Sequence, residues 1–169
     1  ESGFAAQPWE AKLTPEDHDY LHQLPFTIRL PWLNAMVVHA GIVPNKDLSE
    51  QRDFDMMMMR NVVDMDREAT AAAAGGELKA LAHENEGEAW AAVWDDMCRK
   101  KELSGETPAP PHIYFGHDAK RLLQRYEYAT GLDTGCCYGK ELTAVVLPGR
   151  EFVQVKAREV YEVPGGGKK

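Results

Sequence analysis

Only three cysteines occur in the chain, two of them adjacent at Cys136 and Cys137, and this odd count offers neither a disulfide framework nor a C-x-x-C zinc site. A reducing compartment is the simpler reading, which makes an intracellular, cytoplasmic location the expectation. No apolar run approaches membrane-spanning length, and no charged segment followed by an apolar stretch opens the chain, so a membrane partner is not expected. Basic residues are also in short supply. Lys and Arg number 19 against 27 Asp and Glu, a formal net charge of -8, which argues against sequence-independent binding to nucleic acid. Internal repeats and a linker between two cores are both lacking. The chain also lacks a starting Met: it opens Glu1-Ser2-Gly3, and is expected to be processed, trimmed or a fragment.

What remains is enough for one domain with a core: 169 residues, 44% of them hydrophobic. Thr14-Pro15-Glu16-Asp17 predicts a helix start, with Thr as N-cap, Pro at the first helical position and acids at the positive end of the dipole. The helix is expected to run to about Leu24. A strand is predicted over Phe26 to Leu30, a turn at Pro31 to Asn34, and a second strand over Ala35 to His39 whose unbroken apolar run suits burial on both faces. Short helical turns are predicted between Asp47 and Arg60. A polar, low-complexity stretch from Asn61 through Gly76 reads as a surface insertion. Glu88 to Lys101 returns to helical spacing, with Trp90, Val93, Trp94 and Met97 on one face and acids mainly at its start. Strands are then expected at His112 to Phe115, Thr130 to Asp133, Leu142 to Leu147 and Phe152 to Lys156, before a frayed Gly-Gly-Gly-Lys-Lys tail.

Two segments share a design in which an apolar strand delivers one histidine followed by small or turn-forming residues: Val37-Val38-His39-Ala40-Gly41 and Tyr114-Phe115-Gly116-His117-Asp118. A side chain leaving the end of a buried strand is aimed into the crevice above the sheet, where α/β proteins place ligands. Neutral imidazole suits zinc, iron, manganese or nickel. The alternative for either residue alone is a strand-end histidine whose hydrogen bonds are satisfied within the protein.

Val37-Val38-His39-Ala40-Gly41-Ile42-Val43-Pro44, Tyr114-Phe115-Gly116-His117-Asp118-Ala119 and the stretch from Ala129 to Ala144, with Leu132-Asp133-Thr134-Gly135-Cys136 inside it, resemble successive motifs of ApaH-like phosphatases. These belong to the calcineurin-like metallophosphoesterases and are related to symmetrical diadenosine tetraphosphatases and to phosphoprotein phosphatases. The likeness spans nearly the whole chain, including Leu24 to Leu30 and Glu88 to Trp94. It implies an α/β fold, a four-layer sandwich of two mixed sheets flanked by helices and incomplete at its N-terminus, with residues 1-160 as the C-terminal part of one domain and 161-169 as a flexible tail. It also implies a binuclear site of two divalent ions (manganese, iron or zinc), in which His39 and His117 bind the second ion and water attacks the phosphoryl group. The family's earlier motifs, Gly-Asp-x-His-Gly, Gly-Asp-x-x-Asp-Arg-Gly and Gly-Asn-His-Glu, do not occur here. Ala119 stands where many broader metallophosphoesterases carry a second histidine, which favours the ApaH-like and phosphoprotein phosphatase branch.

The resemblance makes a nucleoside polyphosphate such as diadenosine tetraphosphate the expected substrate, with a phosphoprotein, polyphosphate or capped RNA as alternatives. A noncatalytic fragment or interaction module is the alternative from another class. Arg60 falls where the family places an arginine that grips substrate phosphate, and its planar fork suits that task. The competing reading is a helix-end arginine favourable to the dipole. Asp118 is a candidate to orient a neighbouring histidine. Asp133 either orients a ligand histidine or caps backbone N–H groups at a turn. The run Met56 to Met59 reads as packing. Cys136 and Cys137 would point to opposite faces of a continuing strand. His18, His22, His83 and His112 read as solvated.

Overall fold

The computed structural model describes residues 9-65, 76-105 and 108-163. The chain begins with α1 (Pro15–His22), whose start is closed by a capping box: Thr14 accepts from the Asp17 N–H, and the Asp17 carboxylate accepts from the Thr14 N–H. Two short strands follow, β1 (Thr27–Leu30) and β2 (Ala35–Val38), joined by a single 3-10 turn at Pro31–Leu33 and left-handed Asn34. After α2 (Asp53–Met58) come β3 (Asn61–Asp64), β4 (Leu78–Leu81), β5 (Glu88–Ala89) and the long helix α3 (Trp90–Ser104). The remainder is β6 (His112–Phe115), β7 (Gln124–Arg125), β8 (Ala129–Gly131) and the hairpin β9 (Glu141–Val146) with β10 (Glu151–Lys156).

The class is α/β, as expected. A five-stranded mixed sheet in the order β1-β2-β6-β8-β7 forms its centre, beside a three-stranded sheet β4-β3-β5 and the separate β9-β10 hairpin. Strand β2 runs parallel to β6, with Met36 opposite Ile113 and Val37 opposite Tyr114, and β6 runs parallel to β8. Side chains alternate across these strands. Met36, Val38, Ile113, Phe115 and Ala129 are buried in one cluster with Trp90 and Ala91 of α3. Phe115 meets the Trp90 indole edge to face, with centroids 4.8 Å apart. The opposite face is different: Pro25, Phe26, Ile28, Val37, Tyr114 and Leu132 line an open groove of about 400 Å³ whose rim includes His39.

Four expectations need correcting. Asn61 to Asp64 is not part of an insertion but the central strand β3, with Val62 and Asn61 buried, because it pairs with both β4 and β5. Residues 66-75 of that stretch, like 164-169 of the tail, lie outside the described residues. Helix α3 starts only at Trp90, since Glu88 and Ala89 pair with β3, so its first turn holds no acid. Its inward side carries Trp90, Ala91, Asp95 and Cys98 rather than Met97. Asp95 is tolerated there because its carboxylate accepts the Tyr128 N–H at 2.8 Å and pairs with Arg99 at 3.1 Å. Cys136 and Cys137 sit in a 3-10 turn, not a strand, bracketed by Gly135 and Gly139 at φ +72° and +79°.

The fourth correction concerns His112, which is buried rather than solvated, at 7% exposure. Its Nε2 lies 2.8 Å from Thr130 Oγ1 and its Nδ1 lies 2.9 Å from the Glu127 carbonyl, while the Arg150 guanidinium stands against Nδ1. Burial first, then the charge of Arg150, pushes its pKa down to about 4. Met56 and Met59 pack in the core as expected, whereas Met57 of the same run is exposed. His18, His22 and His83 are exposed.

Candidate functional site

Because β2 and β6 are parallel neighbours in matched register, their C-terminal ends lie side by side, and the residue that leaves each end is a histidine or one step from it. The Gly116 N–H donates to the His39 carbonyl at 2.8 Å, fastening the two exits together. The His39 and His117 rings then approach to 5.2 Å between centroids, tilted by 55°. His39 is exposed, whereas His117 is half-buried and sits at φ +66°, a left-handed conformation few non-glycine residues adopt.

The Met58 backbone lies near the His117 ring and favours its charged form, and Nε2 is buried with no partner. Its pKa is lowered, chiefly by burial, then by the Arg60 charge and His39, against the opposing pull of the Met58 backbone and Asp118. A buried imidazole whose charged form is disfavoured and whose Nε2 has no partner suits a metal ligand. No group of three or more His, Cys, Asp or Glu residues that could hold an ion occurs among the described residues, so the pair supplies at most part of a coordination shell.

Arg60 lies beside this pair. Its Nη1 donates to the Ala82 carbonyl at 2.6 Å and its Nη2 to the His117 carbonyl at 3.2 Å, while Nε is buried without a partner. The backbone around it is pinned as well: the Arg60 N–H donates to Leu81 O, and the Trp90 N–H donates to Arg60 O, which satisfies one of the open donors at the start of α3.

The two carboxylates behave differently from each other. Asp118 is buried, and its side chain receives Arg121 Nη1 at 2.5 Å and Gln124 Nε2 at 3.4 Å rather than a histidine. Asp133 accepts the Gly135 N–H at 3.0 Å, an Asx turn that fixes the loop after β8. Arg121 and Asn61 were not among the residues singled out from sequence, yet Arg121 Nη2 donates to Asn61 Oδ1 at 2.6 Å. The i, i+3 spacing of Asp118 and Arg121 was the available signal.

No family model and no curated protein matches the chain. Among solved structures, the crystal structure of a candidate diadenosine tetraphosphatase is similar to it, with a TM-score of 0.69 and 32% sequence identity over 89% of this chain. The chain spans 59% of the length of that protein.

Proposed function

We propose that this chain is the C-terminal portion of an ApaH-like phosphatase of the calcineurin-like superfamily, a metal-dependent hydrolase acting on nucleoside polyphosphates such as diadenosine tetraphosphate. The observation that carries this reading is the His39–His117 pair, with the bare Nε2 of His117 and the Arg60 guanidinium beside it. Likeness to a candidate diadenosine tetraphosphatase supports the substrate class.

His39 and His117 would hold one of two divalent ions (manganese, iron or zinc), the remaining ligands coming from polypeptide outside this chain. When bound, such ions supply Lewis acidity at the phosphoryl group and acidify water. The chain's own residues do the rest. His117 stays neutral because burial and Arg60 disfavour its charged form, which keeps Nε2 available as a lone-pair donor. Arg60 would meet a phosphate oxygen through Nη2, whose 3.2 Å bond to the His117 carbonyl is the longer of its two, while its Nε is buried. Asp133 holds the neighbouring loop shut.

The test is hydrolysis of diadenosine tetraphosphate with manganese by the polypeptide of the complete coding sequence. Substituting His39→Ala or His117→Ala should each lower the rate by at least about 100-fold, since removing a ligand exceeds the 10–100-fold cost of losing a residue that merely supports one. Wild-type rates in both variants would remove the ligand assignment, and an inactive wild type would favour a noncatalytic interaction module. No helix among the described residues is long and apolar enough to cross a membrane, and a cytoplasmic location belongs to the same proposal.

A further inference from the structure

His117 occupies the apex of a tight reversal. The Gly116 N–H donates to His39 O, the Asp118 N–H donates back to the Gly116 carbonyl at 2.8 Å, and the residue between them is left at φ +66°. A non-glycine residue stays in such a conformation only where its surroundings over-determine it. Here the surroundings form a chain of side chains leading away from the imidazole. Asp118, 4% exposed, receives the Arg121 Nη1 and, more weakly at 3.4 Å, the Arg121 backbone N–H and Gln124 Nε2. Arg121 Nη2 reaches Asn61 Oδ1, and Asn61 Nδ2 donates to the Glu86 carbonyl at 2.6 Å. Asn61 begins β3 and directly follows Arg60, whose Nη2 donates to the carbonyl of His117 itself.

We propose that Arg121, bridging Asp118 and Asn61, is a positioning residue that anchors the His117 reversal to β3 and so sets the direction of its imidazole for a divalent cation. The proposal rests on the reading of His117 as a ligand. The loop is tied at two points, to the residue just before β3 by Arg60 on the carbonyl of His117 and to the first residue of β3 by Arg121 through Asp118. The planar fork serves the two acceptors from two nitrogens held at a fixed separation: one terminal nitrogen goes to the carboxylate and the other to the amide oxygen. A lysine at 121 would deliver its charge to Asp118 as a single point and leave Asn61 Oδ1 without that donor.

The cation used in the test is Mn²⁺, whose paramagnetic broadening of histidine ring signals reports binding by the polypeptide of the complete coding sequence. In the wild type the His39 and His117 rings should broaden together at one midpoint. With Arg121→Gln that midpoint should rise by about tenfold or more, and Arg121→Lys should fail to restore it. Amide exchange should meanwhile quicken at His117 and Asp118 and stay unchanged in β2 and β6. If Arg121→Gln does not fold because Asp118 is left buried and charged, the double variant Asp118→Asn with Arg121→Gln removes both charges together and should show the same weakened midpoint. Equal midpoints in the wild type and a folded variant overturn the proposal alone. A wild type in which neither ring broadens overturns the ligand reading and the proposal with it.

Discussion

The Arg60 guanidinium donates to the backbone carbonyl of His117 rather than to any carboxylate, although the chain is acidic overall. The cation is therefore held at the histidine pair by carbonyl dipoles, with Glu84, itself paired to Lys120, near enough to feel its charge. This is the state in which it can still attract a phosphate, and the same charge helps keep His117 neutral.

Arg60 should accordingly govern substrate affinity more than folding. In the polypeptide of the complete coding sequence, Arg60→Lys should raise KM for diadenosine tetraphosphate by about 10- to 100-fold, since a hydrogen bond to a charged group contributes about 1.5–3 kcal/mol. Steady-state kinetics with a thermal melt alongside would check this. An unchanged KM in a folded variant would leave Arg60 as a tie between loops and nothing more.

Position 41 leaves no room for a side chain. A Cβ there would come within 2.6 Å of the Trp90 indole, whose Nε1 donates to Ala40 O at 3.0 Å. Gly41→Ala should cost about 1–3 kcal/mol by overpacking, read as a lowered urea midpoint. Trp90→Phe in the same background should recover part of the Gly41→Ala loss, so that the two substitutions are not additive.

Acid should loosen the protein through His112. Its folded pKa of about 4 lies below the ordinary value near 6.5, so the unfolded chain takes up a proton first. Stability from this group is complete above about pH 6.5 and falls as pH drops toward 4, by an amount on the order of 2–3 kcal/mol. Arg150 disfavours the charged form, while Asp95 and the Glu127 carbonyl favour it. Denaturation midpoints across that window should slope in the wild type and flatten in a folded His112→Gln variant.

Asp95 tests whether a buried carboxylate in α3 works as a cap or as half of an ion pair. Asp95→Ala strips the Tyr128 N–H of its acceptor and should cost about 2 kcal/mol. Asp95→Asn keeps an acceptor oxygen and loses only the bridge to half-exposed Arg99, so it should cost less than about 1 kcal/mol. Equal losses in chemical denaturation would mean that the ion pair matters more than the cap.

The candidate site was legible where chemistry follows a strand directly. His39 and His117 come after short apolar runs, and parallel pairing of those runs brings them together with little freedom to do otherwise. The start of α1 was equally plain, because Thr14 and Asp17 act on each other within one turn. Where sequence reading failed, the deciding contacts are remote. Asn61 to Asp64 holds only two apolar residues, and its strand character comes from β4 and β5 on either side. His112 reads as polar at a strand entrance, but Thr130 and Arg150 satisfy and enclose it from distant segments. For Cys136 and Cys137 the flanking glycines were a usable local sign, since Gly135 and Gly139 both take left-handed backbone that ends a strand.

The groove between Phe26 and Leu132 also bears on how the chain behaves as a colloid. Its lining is apolar, a surface that water does not favour, while a formal charge of -8 holds copies apart at longer range. Added salt weakens only that repulsion, because the screening length shrinks from about 30 Å at 0.01 M to about 10 Å at 0.1 M. Salt therefore removes the repulsion between copies while leaving the apolar lining as it was.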